Sequence, residues 1–138
     1  MSSVVFLDTN VLVYAALQPD ARSEAARALM ARGGTISVQV LNEFVNVAHR
    51  KLRRSWPEIT TAVGAIRALC PPPVPIILAT HEVALRIASR TGYQFYDALV
   101  IAAALESGCT TLFSEDLQDG QVIEGSLTIR NPFSIPGQ

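Results

Sequence analysis

Four acidic residues, Asp8, Glu43, Asp97 and Asp116, stand at places in this 138-residue chain where carboxylates could do chemistry together. Asp8 directly follows an apolar run, Asp116 follows another by a short turn that also holds Glu115, Asp97 opens a long apolar helix, and Glu43 lies in a helix of its own. None of the four has a basic residue adjacent in sequence. A carboxylate cluster of this kind repels itself unless a hard divalent cation joins it, and Mg²⁺ or Mn²⁺ takes oxygen ligands of this type while keeping several waters. Such a site activates water and neutralises charge on a phosphodiester, so the chemistry expected is metal-dependent phosphodiester hydrolysis. Each acid also has a plainer reading. Alone, Asp97 is an N-cap, Asp8 and Asp116 are turn acids, and Glu43 is a solvated helix acid.

The elements that would bring the acids together alternate between short strands and helices. Val4 to Leu7 reads as a strand, Val11 to Leu17 as a short helix ended near Pro19, and Ala21 to Arg32 as a helix closed by Gly33 and Gly34. Thr35 to Val38 reads as a strand. From Gln39 to Leu52 the apolar residues recur at helical spacing with Glu43 on the flank of the stripe. Ser55, Pro57 and Glu58 match a capping box that opens a helix to about Leu69. Val74 to Leu78 is expected as a strand, Thr80 to Arg90 as an amphipathic helix stopped by Gly92, and Asp97 to Ser107 as a buried central helix. Thr110 to Phe113 and Leu127 to Arg130 complete the strands, with a polar loop from Ser114 to Gly120. This alternation predicts an α/β fold: a mostly parallel sheet with helices on both faces, and acids beyond the carboxyl ends of its strands.

Composition bounds the rest. Hydrophobic residues make up 49% and charged ones 17%, which suits one packed domain over residues 1–138. The longest apolar run, Ala98 to Leu105, is too short to cross a bilayer, and Met1 to Leu7 carries no basic stretch, so neither a membrane span nor a signal peptide is expected. Cys70 and Cys109 build no disulfide framework, and with His49 and His81 they form no zinc spacing; a cytoplasmic protein is expected. The net charge of −1 does not announce a nucleic-acid binder, yet Arg50, Lys51, Arg53 and Arg54 crowd the end of the Glu43 helix beside His49. They are either a solvated face suited to a helix C-terminus or a seat for an RNA backbone.

The ordered stretches from Val5 through Asp8 and Asn10 to Leu12, Asn42 to Phe44, Tyr96 to Leu99 and Leu112 to Leu117 resemble the successive motifs of PIN-domain ribonucleases, and most of all VapC-type toxins of toxin-antitoxin pairs. The resemblance runs from Val4 to Phe133. It implies a PIN-like three-layer fold and a Mg²⁺- or Mn²⁺-dependent endoribonuclease, with Asp8, Glu43, Asp97 and Asp116 as metal-binding acids and Asp119 as a candidate fifth. Asn10 and Ser114 would orient ligands or waters. A tRNA, rRNA or mRNA substrate, a protein antitoxin that blocks the site and a homodimer are also implied.

Three other readings compete. A phosphoaspartate receiver or haloacid-dehalogenase-type phosphatase needs a late lysine, but Lys51 is the only lysine, and the phosphatase needs a second Asp where Asn10 stands. A metal-free ribonuclease would use His49 and His81 as base and acid. A non-catalytic RNA-binding module would leave the four acids without a reason.

Overall fold

In the computed structural model, residues 5–133 are described. The chain runs β1 (Val5–Leu7), α1 (Thr9–Ala16), α2 (Ser23–Ala31) and α3 (Val38–Asn46). A π-helical turn, Val47–Lys51, extends α3. Then come α4 (Trp56–Leu69), α5 (Leu78–Thr91), α6 (Phe95–Glu106), β2 (Thr111–Phe113), β3 (Val122–Ile123) and β4 (Leu127–Arg130). Val4, expected to start the first strand, lies outside the described residues. The sheet order is β1-β2-β4-β3. β1 and β4 both run parallel to β2, with Phe6 opposite Leu112 and Leu112 opposite Ile129, while β3 is antiparallel to β4. The expected mostly parallel α/β sheet is therefore present, with one antiparallel edge that the sequence did not announce.

Phe6 and Leu7 are both fully buried. Because successive strand residues point to opposite faces, β1 is covered from both sides. Helix α6, apolar around its whole circumference, is buried from Ala98 to Ala104, as a central helix must be. Among the described residues no helix is long and apolar enough to cross a membrane.

Two expected strands shrink to single bridges. Thr35 pairs only with Phe6, and Ser37 only with Val74, both in parallel. Ser37 is the N-cap of α3, its hydroxyl accepting the Val40 N–H at 3.2 Å, so the helix takes over from the strand at Val38. Val74 sits between Pro73 and Pro75, which donate no backbone hydrogen bond to extend a ladder. Leu78 belongs to α5, whose start is tied by the Thr80 hydroxyl accepting the Ile77 N–H at 3.3 Å. The remaining helix ends follow their caps. Ser55 and Glu58 form the expected reciprocal box, and Gly92 at φ 81° closes α5 in the left-handed region. Gly34 passes so close to β1 that a Cβ there would lie 2.7 Å from the Leu7 side chain.

Candidate active site

The parallel strands end on the same side, and the site lies past their carboxyl ends. Asp8 is the first residue beyond β1 and the N-cap of α1. One carboxylate oxygen, Oδ1, accepts the Thr9 N–H at 2.7 Å and the other, Oδ2, accepts the Ser114 hydroxyl at 2.7 Å. Ser114 is the first residue beyond β2 and is fully buried, and its Oγ in turn accepts the Asp116 N–H at 3.2 Å. One hydroxyl therefore joins the ends of two neighbouring strands and fixes the backbone of the next acid. Asn10 clips the same turn from the α1 side: its Nδ2 donates to Asp116 Oδ2 at 3.2 Å and its Oδ1 accepts the Glu115 N–H at 3.3 Å.

Glu43 reaches the site from the middle of α3, where its Oε1 accepts the Thr9 hydroxyl at 3.3 Å. Asp97 is the third residue of α6, not its cap. That role falls to Gln94, whose Oε1 accepts the Tyr96 N–H at 3.1 Å. This removes the plain capping reading of Asp97 and leaves its carboxylate to face its acidic neighbours.

The electrostatics record the convergence. The Asp8 carboxyl is pushed up to about 6, by burial first and by the charges of Asp116 and Asp97 to a lesser degree, against the bonds from Ser114 and Thr9. Burial, then the charges of Asp8 and Asp97, push Glu43 up to about 7 against hydrogen bonds from Thr9 and Gln39. Asp97 is raised by burial and by Asp116, opposed by a hydrogen bond with the Gln94 side chain. Burial is the largest cause in all three, and in each the charge of another of the four acids adds to it. Asp116 is the exposed member, at the mouth. Asp119 is engaged elsewhere, accepting the Asn131 N–H at 2.8 Å and closing the loop onto the end of β4. Among the described residues, no three Asp, Glu, His or Cys side chains stand close enough to grip one ion directly.

Two polar recesses flank the acids. One, about 160 Å³, is lined by Thr9, Asn10, Tyr14, Gln18, Lys51 and Asp116 among others. The other, about 430 Å³, is lined by Gln39, Asn42, Glu43, Asn46, Gln94 and Tyr96. The basic run divides between roles. The π-helical turn carries Lys51 into the recess of Asp116, while Arg54 donates through Nη2 to the Leu17 carbonyl at 2.6 Å and pairs with Glu58 at 3.6 Å. His49 stacks on Trp56, and His81, on α5, meets the Phe95 ring edge-on, so each imidazole is engaged with a different aromatic partner.

A strap behind the acids carried no sequence signal. Tyr14 donates its hydroxyl to Glu115 at 2.7 Å, and Arg22 meets both Glu115 oxygens at 3.0 Å while its guanidinium lies 4.0 Å over the Tyr14 ring. Glu115 is thereby anchored to α1 and to the residue preceding α2, immediately beside Asp116. Thr9 was missed as well, although a hydroxyl next to the first acid is the kind of residue that could have drawn attention.

Comparison with known proteins gives the family and the fold. The PIN domain model matches residues 5–118. No curated protein matches the chain. Among solved structures, VapC20 of Mycobacterium tuberculosis, described as a toxin that cleaves the sarcin-ricin loop, is similar with a TM-score of 0.64 and 24% identity, over 81% of this chain and 91% of that one. VapBC2 of Rickettsia felis, bound to a DNA fragment from its promoter, is similar with a TM-score of 0.64 and 16% identity, over 92% of this chain and 97% of that one.

Proposed function

Because the chain belongs to the PIN domain family, we propose that residues 1–138 form one such domain, a divalent-cation-dependent endoribonuclease acting as the VapC-type toxin of a toxin-antitoxin pair. What supports this reading is that Asp8, Glu43 and Asp97 are each raised, by burial first and then by the charge of at least one other acid of the set, Asp116 included. Buried carboxylates that also sense one another's charge are stabilised in their ionised form when a cation joins them. The donor set is all oxygen, as Mg²⁺ or Mn²⁺ prefers, and since no three of these side chains stand close enough to grip one ion directly, an ion here would keep waters between itself and some of the acids. Asp8, Glu43, Asp97 and Asp116 would hold the ion. When bound, it neutralises charge growing on the phosphodiester and makes a water a better nucleophile.

The chain's own residues do the rest. Ser114 and the Thr9 N–H fix both oxygens of Asp8 and leave it no freedom to rotate away. Asn10 and Ser114 set the direction of Asp116, and Thr9 and Gln39 that of Glu43. Lys51 supplies positive charge at the rim of the Asp116 recess, where it would meet a phosphate of the incoming RNA, and Arg50, Arg53 and Arg54 follow it along the chain.

The family likeness supports an RNA substrate, whether tRNA, rRNA or mRNA, and a protein antitoxin as partner, in a cytoplasmic homodimer. An apolar groove of about 710 Å³ lies between α1, α2 and α4, lined by Leu17, Met30, Ala62, Ile66 and Leu69 among others.

The test is cleavage of end-labelled single-stranded RNA by the purified protein, with Mg²⁺ or Mn²⁺ and then with excess chelator. Cleavage is expected only with the ion. Undiminished cleavage in chelator, from a preparation free of other nucleases, would overturn the metal mechanism.

A further inference from the structure

Trp56, the chain's only tryptophan, is 56% exposed, although tryptophan is on average among the more buried residues. It is held in place nonetheless. It opens α4 directly after the N-cap Ser55, inside the Ser55–Glu58 capping box, and its ring stacks on His49 of the π-helical turn, with centroids 3.9 Å apart and planes inclined by 21°. Between the two rings the chain makes an unusual turn. Arg53 sits at φ 55°, a conformation that residues with a Cβ seldom adopt, and the Arg54 N–H closes the turn onto the Ala48 carbonyl at 2.9 Å. The result is a groove of about 400 Å³ lined by His49, Arg50, Arg53 and Arg54. Among the described residues Arg50 and Arg53, like Arg27, Arg32, Arg67 and Arg130, have no carboxylate partner, whereas Arg22, Arg54, Arg86 and Arg90 have one, and only Arg50 and Arg53 of the unpaired set lie beside the stacked rings.

A fixed, exposed aromatic face beside unpaired guanidinium groups matches a ligand that carries flat rings on a polyanionic backbone. That description fits unpaired nucleic acid. An acidic peptide would satisfy the arginines and leave the indole face without a partner, and a duplex would keep its bases stacked on one another.

We propose that His49 and Trp56, with Arg50 and Arg53, form a platform outside the acidic cleft on which an unpaired base of the RNA stacks while neighbouring phosphates lie against the guanidinium groups. The proposal rests on RNA being the substrate, and Lys51 of the same turn connects the platform to the recess of Asp116.

The experiment uses the full chain carrying Asp8→Asn, so that RNA is bound without being cut, and a short single-stranded oligoribonucleotide with a terminal fluorophore. Trp56 emission should be quenched along the same curve as the rise in RNA anisotropy. Trp56→Leu should weaken binding by roughly 5- to 150-fold, the range expected for one stacked base, and Trp56→Phe should recover most of it. The annealed duplex and polyglutamate should leave the emission unchanged. If RNA binds with Trp56 emission unaltered, or if Trp56→Leu folds and binds as well as its parent, the platform is overturned while cleavage by the wild-type chain still stands. Quenching by polyglutamate equal to that by RNA would make the surface a protein-docking site and overturn the proposal. Absence of both RNA binding and RNA cleavage would overturn the ribonuclease reading along with it.

Discussion

The Ser114 hydroxyl donates to the Asp8 carboxylate across 2.7 Å, joining the residue after β2 to the residue after β1. The same oxygen receives the Asp116 N–H, so a single atom fixes two acids that lie 108 positions apart in the chain, the difference between 116 and 8. Ser114→Ala should lower cleavage by about 10- to 100-fold, as removal of a group that orients a metal ligand commonly does. Loss of this buried hydrogen bond should also cost about 1 to 3 kcal/mol of stability. Rates measured across a divalent-ion titration check the first effect, and thermal unfolding checks the second. Unchanged rates would mean that Asp8 needs no orientation from β2.

The strap from Arg22 and Tyr14 to Glu115 acts on Asp116 one residue away. Misplacing a reacting group by about 1 Å costs on the order of 100-fold in rate. Glu115→Ala should therefore reduce kcat by tenfold or more while KM for RNA changes little. Tyr14→Phe, which keeps the ring under the Arg22 guanidinium and removes one hydrogen bond, should have a milder effect. A rise in KM with kcat preserved would instead assign Glu115 to substrate binding.

The layers were legible because short apolar runs alternate with helical stretches, and Asp8 and Asp116, just past two of those runs, mark the carboxyl ends of strands. The Ser55 capping box and the Gly92 stop were legible because cap chemistry is local. Other features were not. The strap joins Tyr14 to Glu115 across 101 positions, and no local pattern encodes such a contact. The Val74 strand vanished because prolines on both sides outweigh its apolar character. β3 has two residues, too few for an alternation to be read. The π-helical turn looks like continuous helix in sequence, yet its Lys51 lines the recess of Asp116 while its His49 and Arg50 line a separate groove.

That division makes the basic run testable residue by residue. Lys51 shares a recess with Asp116, so Lys51→Gln should weaken RNA binding and reduce the slope of log K against log salt by ~0.7, the share of one phosphate that is no longer neutralised. Arg54 is tied to the Leu17 carbonyl at 2.6 Å, so Arg54→Gln should cost about 1 to 2 kcal/mol of stability by removing a charged hydrogen bond. Salt-dependent binding and denaturant unfolding of the two variants separate these roles. An unchanged salt slope for Lys51→Gln would leave that cation a solvated helix-end charge.

The elevated carboxylates also push stability with pH in a direction opposite to that of the paired acids Asp20, Glu58 and Glu124, which are held below the usual carboxylate range but lie at the exposed surface. A carboxyl whose folded pKa lies above its unfolded value contributes stability that is complete below the unfolded pKa and is lost as pH rises through the folded one. For Asp8 that window runs from 3.8 to about 6, and for Glu43 from 4.5 to about 7. At about 1.4 kcal/mol for each pH unit, Asp8 alone accounts for a loss on the order of 3 kcal/mol. The metal-free protein should therefore melt at progressively lower temperature between about pH 4 and pH 7. Mg²⁺ or Mn²⁺ should restore the loss above about pH 6, because the ion binds the folded, ionised cluster preferentially. Asp8→Asn should flatten the decline, since the amide has no charge to bury and caps α1 nearly as well. Glu43→Gln and Asp116→Asn should leave the metal-free melting temperature at pH 8 equal or higher, and Asp97→Asn should change it little. All four should abolish cleavage and shrink the stabilisation by divalent ion. Calorimetric scans of the chelated and ion-loaded proteins across this pH range are the measurement. A metal-free melting temperature that rises from pH 4 to 7, with cleavage retained in the variants, would mean that these acids are individually satisfied surface groups and that the reactive site lies elsewhere.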